Sequence, residues 1–134
     1  MPANVNPIFT LTPVVGMANI ATANTNRDGT GTLGTVVTGT TNGTRIDLVV
    51  VQATVTTAAA VVTLFVYDGV SVTELWQEVL VNAVTPSATA TAFRYVISSP
   101  DPTAPLLVLP NNYALRAGTT IAQSMNVIAQ GGAY

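Results

Sequence analysis

The stretch Thr44-Arg-Ile-Asp-Leu-Val-Val-Val-Gln-Ala-Thr-Val-Thr-Thr-Ala-Ala-Ala-Val-Val-Thr-Leu-Phe-Val-Tyr67 is the longest apolar, β-branched run in the chain. Valine and threonine are stiff at χ1 and suit a pleated surface better than a helix. Arg45, Asp47 and the threonines interrupt the run too often for a membrane span, which needs about 20 apolar residues. Within Arg45–Val51, the period-2 pattern puts Ile46, Leu48 and Val50 on one face and Arg45 and Asp47 on the other. The run therefore predicts two central strands of a β-sandwich, broken near Thr57–Ala60.

Just before this run, Asn42-Gly43 separates it from a β-rich segment at Thr32–Thr40. Asn-Gly is a strong short-range hairpin signal, so those two segments are expected to pair antiparallel. Asp68-Gly69 predicts the next turn. Val72–Val81 has helical as well as strand spacing, but the preceding turn and the flanking valines favour a strand. Strands are further predicted at Val14–Ala23, Ala92–Ser98, Leu106–Leu109, Tyr113–Ala117 and Thr119–Gln130, with turns at Pro110-Asn111-Asn112 and Gly118. Phe93, Tyr95 and Ile97 form the expected inward face of Ala92–Ser98. Pro100, Pro102 and Pro105 predict a rigid irregular connection. Pro2, Pro7 and Pro13 make residues 1–13 an extended N-terminal arm or edge strand. Eight to ten short strands and no clear helix predict a single all-β domain over residues 14–134, an antiparallel, jelly-roll-like sandwich.

Composition narrows the function. The 134 residues contain no histidine, cysteine or lysine, which removes the commonest general base, the commonest metal ligand and any disulfide. Only 7% of residues are charged and the net charge is −2, against about 25% charged in ordinary domains. Such a balance lacks the basic footprint of a nucleic-acid binder. So little charge does little to keep copies apart and suits a many-copy assembly. The N-terminal residues lack a basic n-region and an apolar h-region, so export by the general secretory route is not expected.

Candidate motifs mostly reduce to turn chemistry. Gly29-Thr-Gly31-Thr-Leu-Gly34 matches a dinucleotide fingerprint, but a polar loop precedes it and β-rich sequence follows, where a strand and a helix are required. Glu74 and Glu78 on a strand would stand about 13 Å apart, beyond the ~5–9.5 Å of a glycosidase pair. Asp28, Asp68 and Asp101 would have to converge to hold calcium, which needs six to eight oxygens. Asn42-Gly43-Thr44 is formally a glycosylation triplet and reads better as a turn. Trp76, Phe93, Tyr95, Tyr113 and Tyr134 offer either a sugar-stacking platform or core packing, with Phe93 and Tyr95 assigned to the core. No catalytic, cofactor or metal site is predicted, and the chain is not expected to be an enzyme.

Several blocks carry a resemblance: Asn6-Pro-Ile-Phe-Thr-Leu-Thr-Pro13, Thr22-Ala-Asn-Thr25, Asp28-Gly-Thr-Gly-Thr32, Asn42-Gly-Thr-Arg-Ile-Asp47 and Asn126-Val-Ile-Ala-Gln-Gly-Gly-Ala-Tyr134. In this order they resemble small Thr/Ala/Val-rich virion structural proteins of tailed bacteriophages. The resemblance implies a β-sandwich made in the host cytoplasm and carried on the capsid surface as a decoration, or cement, protein. Its implied partners are the major capsid protein and further copies of itself, a trimer being one form, with neither nucleic acid nor membrane. The alternative is a tail or head-fibre domain binding host-surface glycans. Ile8, Phe9, Leu11, Trp76 and Tyr134 are the expected interface residues.

Overall fold

A computed structural model describes residues 9–101 and 103–134. Among these there is no helix, and nine strands form two antiparallel sheets. The strands are β1 (Thr12–Ile20), β2 (Gly34–Thr38), β3 (Thr44–Ala53), β4 (Ala60–Tyr67), β5 (Thr73–Val81), β6 (Arg94–Ser98), β7 (Leu107–Leu109), β8 (Ala114–Thr119) and β9 (Met125–Ala133). One sheet has the order β1-β9-β3-β6, with β7 also pairing with β3, and the other has the order β2-β8-β4-β5. The pairings nest along the chain: β1 with β9, β2 with β8, β3 with β6 and β7, and β4 with β5.

The Thr44–Tyr67 run supplies a central strand to each sheet. β3 lies between β9 and the β6/β7 pair, and β4 lies between β8 and β5. Their inner faces meet in the core, where Ile46, Val49, Val51, Val62 and Leu64 are fully buried among Val79, Val81, Leu115, Met125 and Val127. Burying each such side chain is worth about 1.5–3 kcal/mol.

The alternation expected in β3 holds only for its first half. Ile46 faces the core, but Leu48 and Val50 do not; Val49, Val51 and Ala53 replace them there. The register against β9 shifts between Ile46 and Leu48. This bulge inserts one extra residue, Asp47, and an insertion of one reverses every later side chain. It also presses the β3 backbone onto β9, so that a Cβ on Gly131 would collide with the Arg45 carbonyl. A second bulge, between Leu64 and Phe65 in the β4–β5 register, leaves Trp76 as the unpaired residue of β5. Trp76 packs against the rim of the core.

The hairpin expected at Asn42-Gly43 does not form. β2 pairs with β8 and β3 with β9, so the turn carries the chain from one sheet to the other. A two-residue type I′ hairpin needs positive φ at both central positions, and here Gly43 has φ 94° while Asn42 is not among the positive-φ residues. Gly43 N–H instead donates to the Thr40 carbonyl at 2.9 Å. Gly118 is likewise not a turn but a residue of β8. A Cβ there would meet Leu33 Cδ2 at 3.0 Å and Thr63 Oγ1 at 3.1 Å, the tight approach that glycine in a strand allows. Tyr95 is half exposed on the edge strand β6, whereas Phe93 is buried.

β1 is an edge strand, which is where a proline without an N–H can sit, and Pro13 pairs there with Gly132. Thr12 and Pro13 thus belong to the sheet edge, and Leu11 N–H extends the ladder by donating to the Ala133 carbonyl at 2.7 Å. Residues 1–8 of the expected arm, Ile8 included, lie outside the described residues.

Two expectations follow for urea denaturation. Leu64→Ala should cost about 2–5 kcal/mol as a buried cavity mutation, whereas Leu80→Ala, on the exposed face of β5, should stay within about 0.5 kcal/mol of the parent. Gly131→Ala should cost about 2 kcal/mol or more, because backbone and not a flexible side chain opposes the new methyl. A well-folded Gly131→Ala protein of parental stability would contradict the bulge assignment.

Candidate interaction surface

The two outer sheet faces differ. On the β2-β8-β4-β5 sheet, Phe65 faces away from the core yet is fully buried. The segment 21–33 runs over this face. Leu33 meets Gly118, Gly29 lies against Thr73, and Arg27 forms an ion pair with Glu78. Buried Asn24 organises the segment. Its Nδ2 donates to the carbonyls of Thr30 and Thr32 at 2.9 and 3.0 Å, its Oδ1 accepts from Asn26 N–H, and its own N–H donates to Thr119. Gly29 and Gly31, both at φ 86°, therefore serve a structural loop entering β2, not a nucleotide cradle. Beneath it, the Arg116 guanidinium stacks on the Tyr67 ring at 3.7 Å.

The outer face of the β1-β9-β3-β6 sheet carries no such cover among the described residues. The registers align Met17 with Ile128, Ile128 with Val50, and Val50 with Val96. This apolar row crosses four strands. Flanking it are the row Asn19, Asn126, Gln52 and Arg94 and the row Val15, Gln130, Leu48 and Ser98. Met17 is 68% exposed and Val15 58%. The row escaped the sequence reading because the Asp47 bulge turns Leu48 and Val50 outward. The available signal was the pairing of large Val15 and Met17 with small Gly16 and Ala18 in β1.

Of the residues expected at interfaces, Phe9 and Leu11 are 75% and 83% exposed. They lie beside the end of β9, where Thr10 covers Gly132 and Leu11 bonds Ala133. Tyr134 is at the same end, half-buried, its N–H donating to the Gly43 carbonyl at 3.1 Å. The fold thus gathers Phe9, Leu11 and Tyr134. Trp76 stands apart on β5, in the other sheet, with part of its ring against the core.

The carboxylates are dispersed. Glu74 pairs with Val66, whose side chain packs on the core, and Glu78 with Thr63 on the opposite face, so the Trp76 bulge separates the two glutamates to different sides of the sheet. Asp28 accepts from Thr30 N–H and Oγ1–H, and Asp101 accepts from the same two groups of Thr103. Asp68 Oδ1 accepts three backbone N–H groups, from Val70, Ser71 and Val72, at 2.8, 2.9 and 3.0 Å. These hydrogen bonds hold all three carboxyls below the ordinary aspartate range. Among the described residues, no three acidic, histidine or cysteine side chains gather to hold a metal ion. A polar concavity of about 370 Å³ is lined by Arg45, Asp47, Ser98, Ser99, Asp101 and Ala104, with Arg45 bonded to Asp47 at 2.6 Å.

No protein-family model and no curated protein matches this chain.

The Asp68 turn makes a pH prediction. Because its folded-state pKa is lowered, its contribution is present above the unfolded value of about 3.9 and is lost as pH falls through the folded value. Carboxyl NMR titration should place the Asp68 midpoint below about 3.9. Asp68→Asn should keep an acceptor oxygen but flatten the acid side of the stability profile. An Asp68 midpoint at or above the ordinary value would contradict the three-donor turn.

Proposed function

We propose that this chain is a structural virion protein of a tailed phage, a capsid decoration protein that binds and stabilises the major capsid shell as a homo-oligomer. The observation that carries the proposal is the pair of uncovered apolar surfaces on an almost uncharged sandwich: the cross-strand row on the β1-β9-β3-β6 face and the Phe9/Leu11 segment beside Tyr134. Contiguous exposed apolar side chains, unlike ones scattered singly, mark interaction surfaces. The resemblance to phage virion proteins supports the same reading. So does the nested strand order, the wrapping of a long hairpin expected of a jelly roll. The edge strand β1 provides a route for the N-terminal segment to reach a neighbour by strand addition.

An add-back experiment tests this. Expanded shells stripped of the chain should rebind purified protein in many copies and disassemble at higher temperature once decorated. Removing residues 1–10 leaves β1 and the Leu11 hydrogen bond in place; it should weaken shell binding without lowering the melting temperature of the free protein appreciably. Shells that neither bind the protein nor gain stability would overturn the proposal, and unchanged occupancy after the deletion would remove the arm from it.

A further inference from the structure

We infer that the outer face of the β1-β9-β3-β6 sheet is a self-contact, packing on the same face of a second copy about a twofold axis that runs in the plane of the interface. The inference deepens the homo-oligomer part of the proposed function and rests on it. Three features of the face identify a second copy as its occupant.

The first is self-complementarity. An axis in the interface plane and parallel to the strands brings the β1 side of one face over the β6 side of the other. Met17 then lies over the partner copy's Val96 position and Ile128 over its Val50 position, so the apolar row meets itself along its whole length. The second is charge. Of the twelve side chains in the three aligned rows, Arg94 alone is charged. The same axis sets it against the row position of Asn19, so no like charges oppose each other. With one charge among these twelve side chains, the face offers little to a charged partner and meets no like-charge repulsion from its own copy. The third is area. Strands about 4.8 Å apart, nine or ten residues long in β1, β9 and β3 but five in β6, give at ~3.3 Å per residue a face of roughly 500 Å². Doubled, this approaches the ~1,200 Å² at the lower end of specific interfaces. Valine, isoleucine and methionine are also the right size for sheets packed about 10 Å apart. The opposite sheet has no equivalent row across its four strands, since segment 21–33 lies against Gly118, Thr73 and Glu78 on that face. A contact of this size belongs with weak, transient encounters, suited to copies that a surface holds close together.

Sedimentation equilibrium of the full chain, from about 1 μM to about 1 mM, tests the inference. The parent should be a concentration-dependent dimer. Met17→Lys and Val96→Lys, both at exposed positions, should each weaken dimerisation at least about tenfold by placing a charge in the desolvated row. Leu80→Lys, on the other sheet, should leave it unchanged, and circular dichroism should show all three variants folded. A parent that stays monomeric, a trimer, or a dimer indifferent to both Met17→Lys and Val96→Lys would overturn the inference. A monomeric parent is also the result expected if residues 1–8 cover the face in place of a second copy. Shell binding separates the two readings: a monomer that still decorates shells overturns only the self-contact, and a dimer that ignores shells overturns only the proposed function.

Discussion

The contact between the inner faces of β3 and β4 is the constraint on which the remaining structure depends. Both strands come from one 24-residue run, Thr44–Tyr67, yet they lie in different sheets because residues 54–59 carry the chain across the core. Each is central in its sheet, so every other strand is placed by pairing directly or indirectly with one of them. The fully buried positions they contribute set the spacing of the sheets, and β8 and β9 complete the same core with Leu115, Ala117, Val127 and Ala129. Truncating this layer removes support from both sheets at once, and close-packed interiors relax only partly around such a loss.

Two of the three bulges in the sheets, those at Asp47 and Trp76, adjust that frame. The one at Asp47 divides β3 into a first part whose even residues face inward and a second part whose odd residues do. Its consequence extends to the surface, because it is what presents Leu48 and Val50 beside Ile128 and Met17. The bulge at Trp76 tucks an aromatic ring against the core rim and leaves Glu74 and Glu78 on opposite faces. Neither bulge adds a chemical group. Each redirects side chains, and the one at Asp47 completes the apolar row on the outer surface of its own sheet.

Much of the fold was legible from local pattern. The break in the Thr44–Tyr67 run, the Asp68-Gly69 and Pro110–Asn112 turns and the strand character of Val72–Val81 were read from β-branched content and turn residues, and each reappears in the structure. What the pattern could not carry was long-range register. Asn42-Gly43 has hairpin chemistry, but β2 and β3 gain more by pairing with β8 and β9 than with each other, a choice made about 80 residues away in sequence. The phase reversal in β3 depends on Gly131 in β9, and the place of Gly118 within β8 depends on Leu33 and Thr63. Tyr95 has inward-facing periodicity, yet lies on an edge strand that leaves it half exposed. Of the expected surface residues, Phe9 and Leu11 were legible as an apolar, proline-flanked segment. The Met17–Ile128–Val50–Val96 row was not, since its four members come from four strands.

The proposed place of this chain on the head of a virion can be checked by separating DNA-filled heads from tails on a density gradient and assaying each fraction for the 13.8 kDa chain. A decoration protein should travel with the heads in many copies per particle. Recovery with the tails, in few copies, or in neither fraction would contradict it.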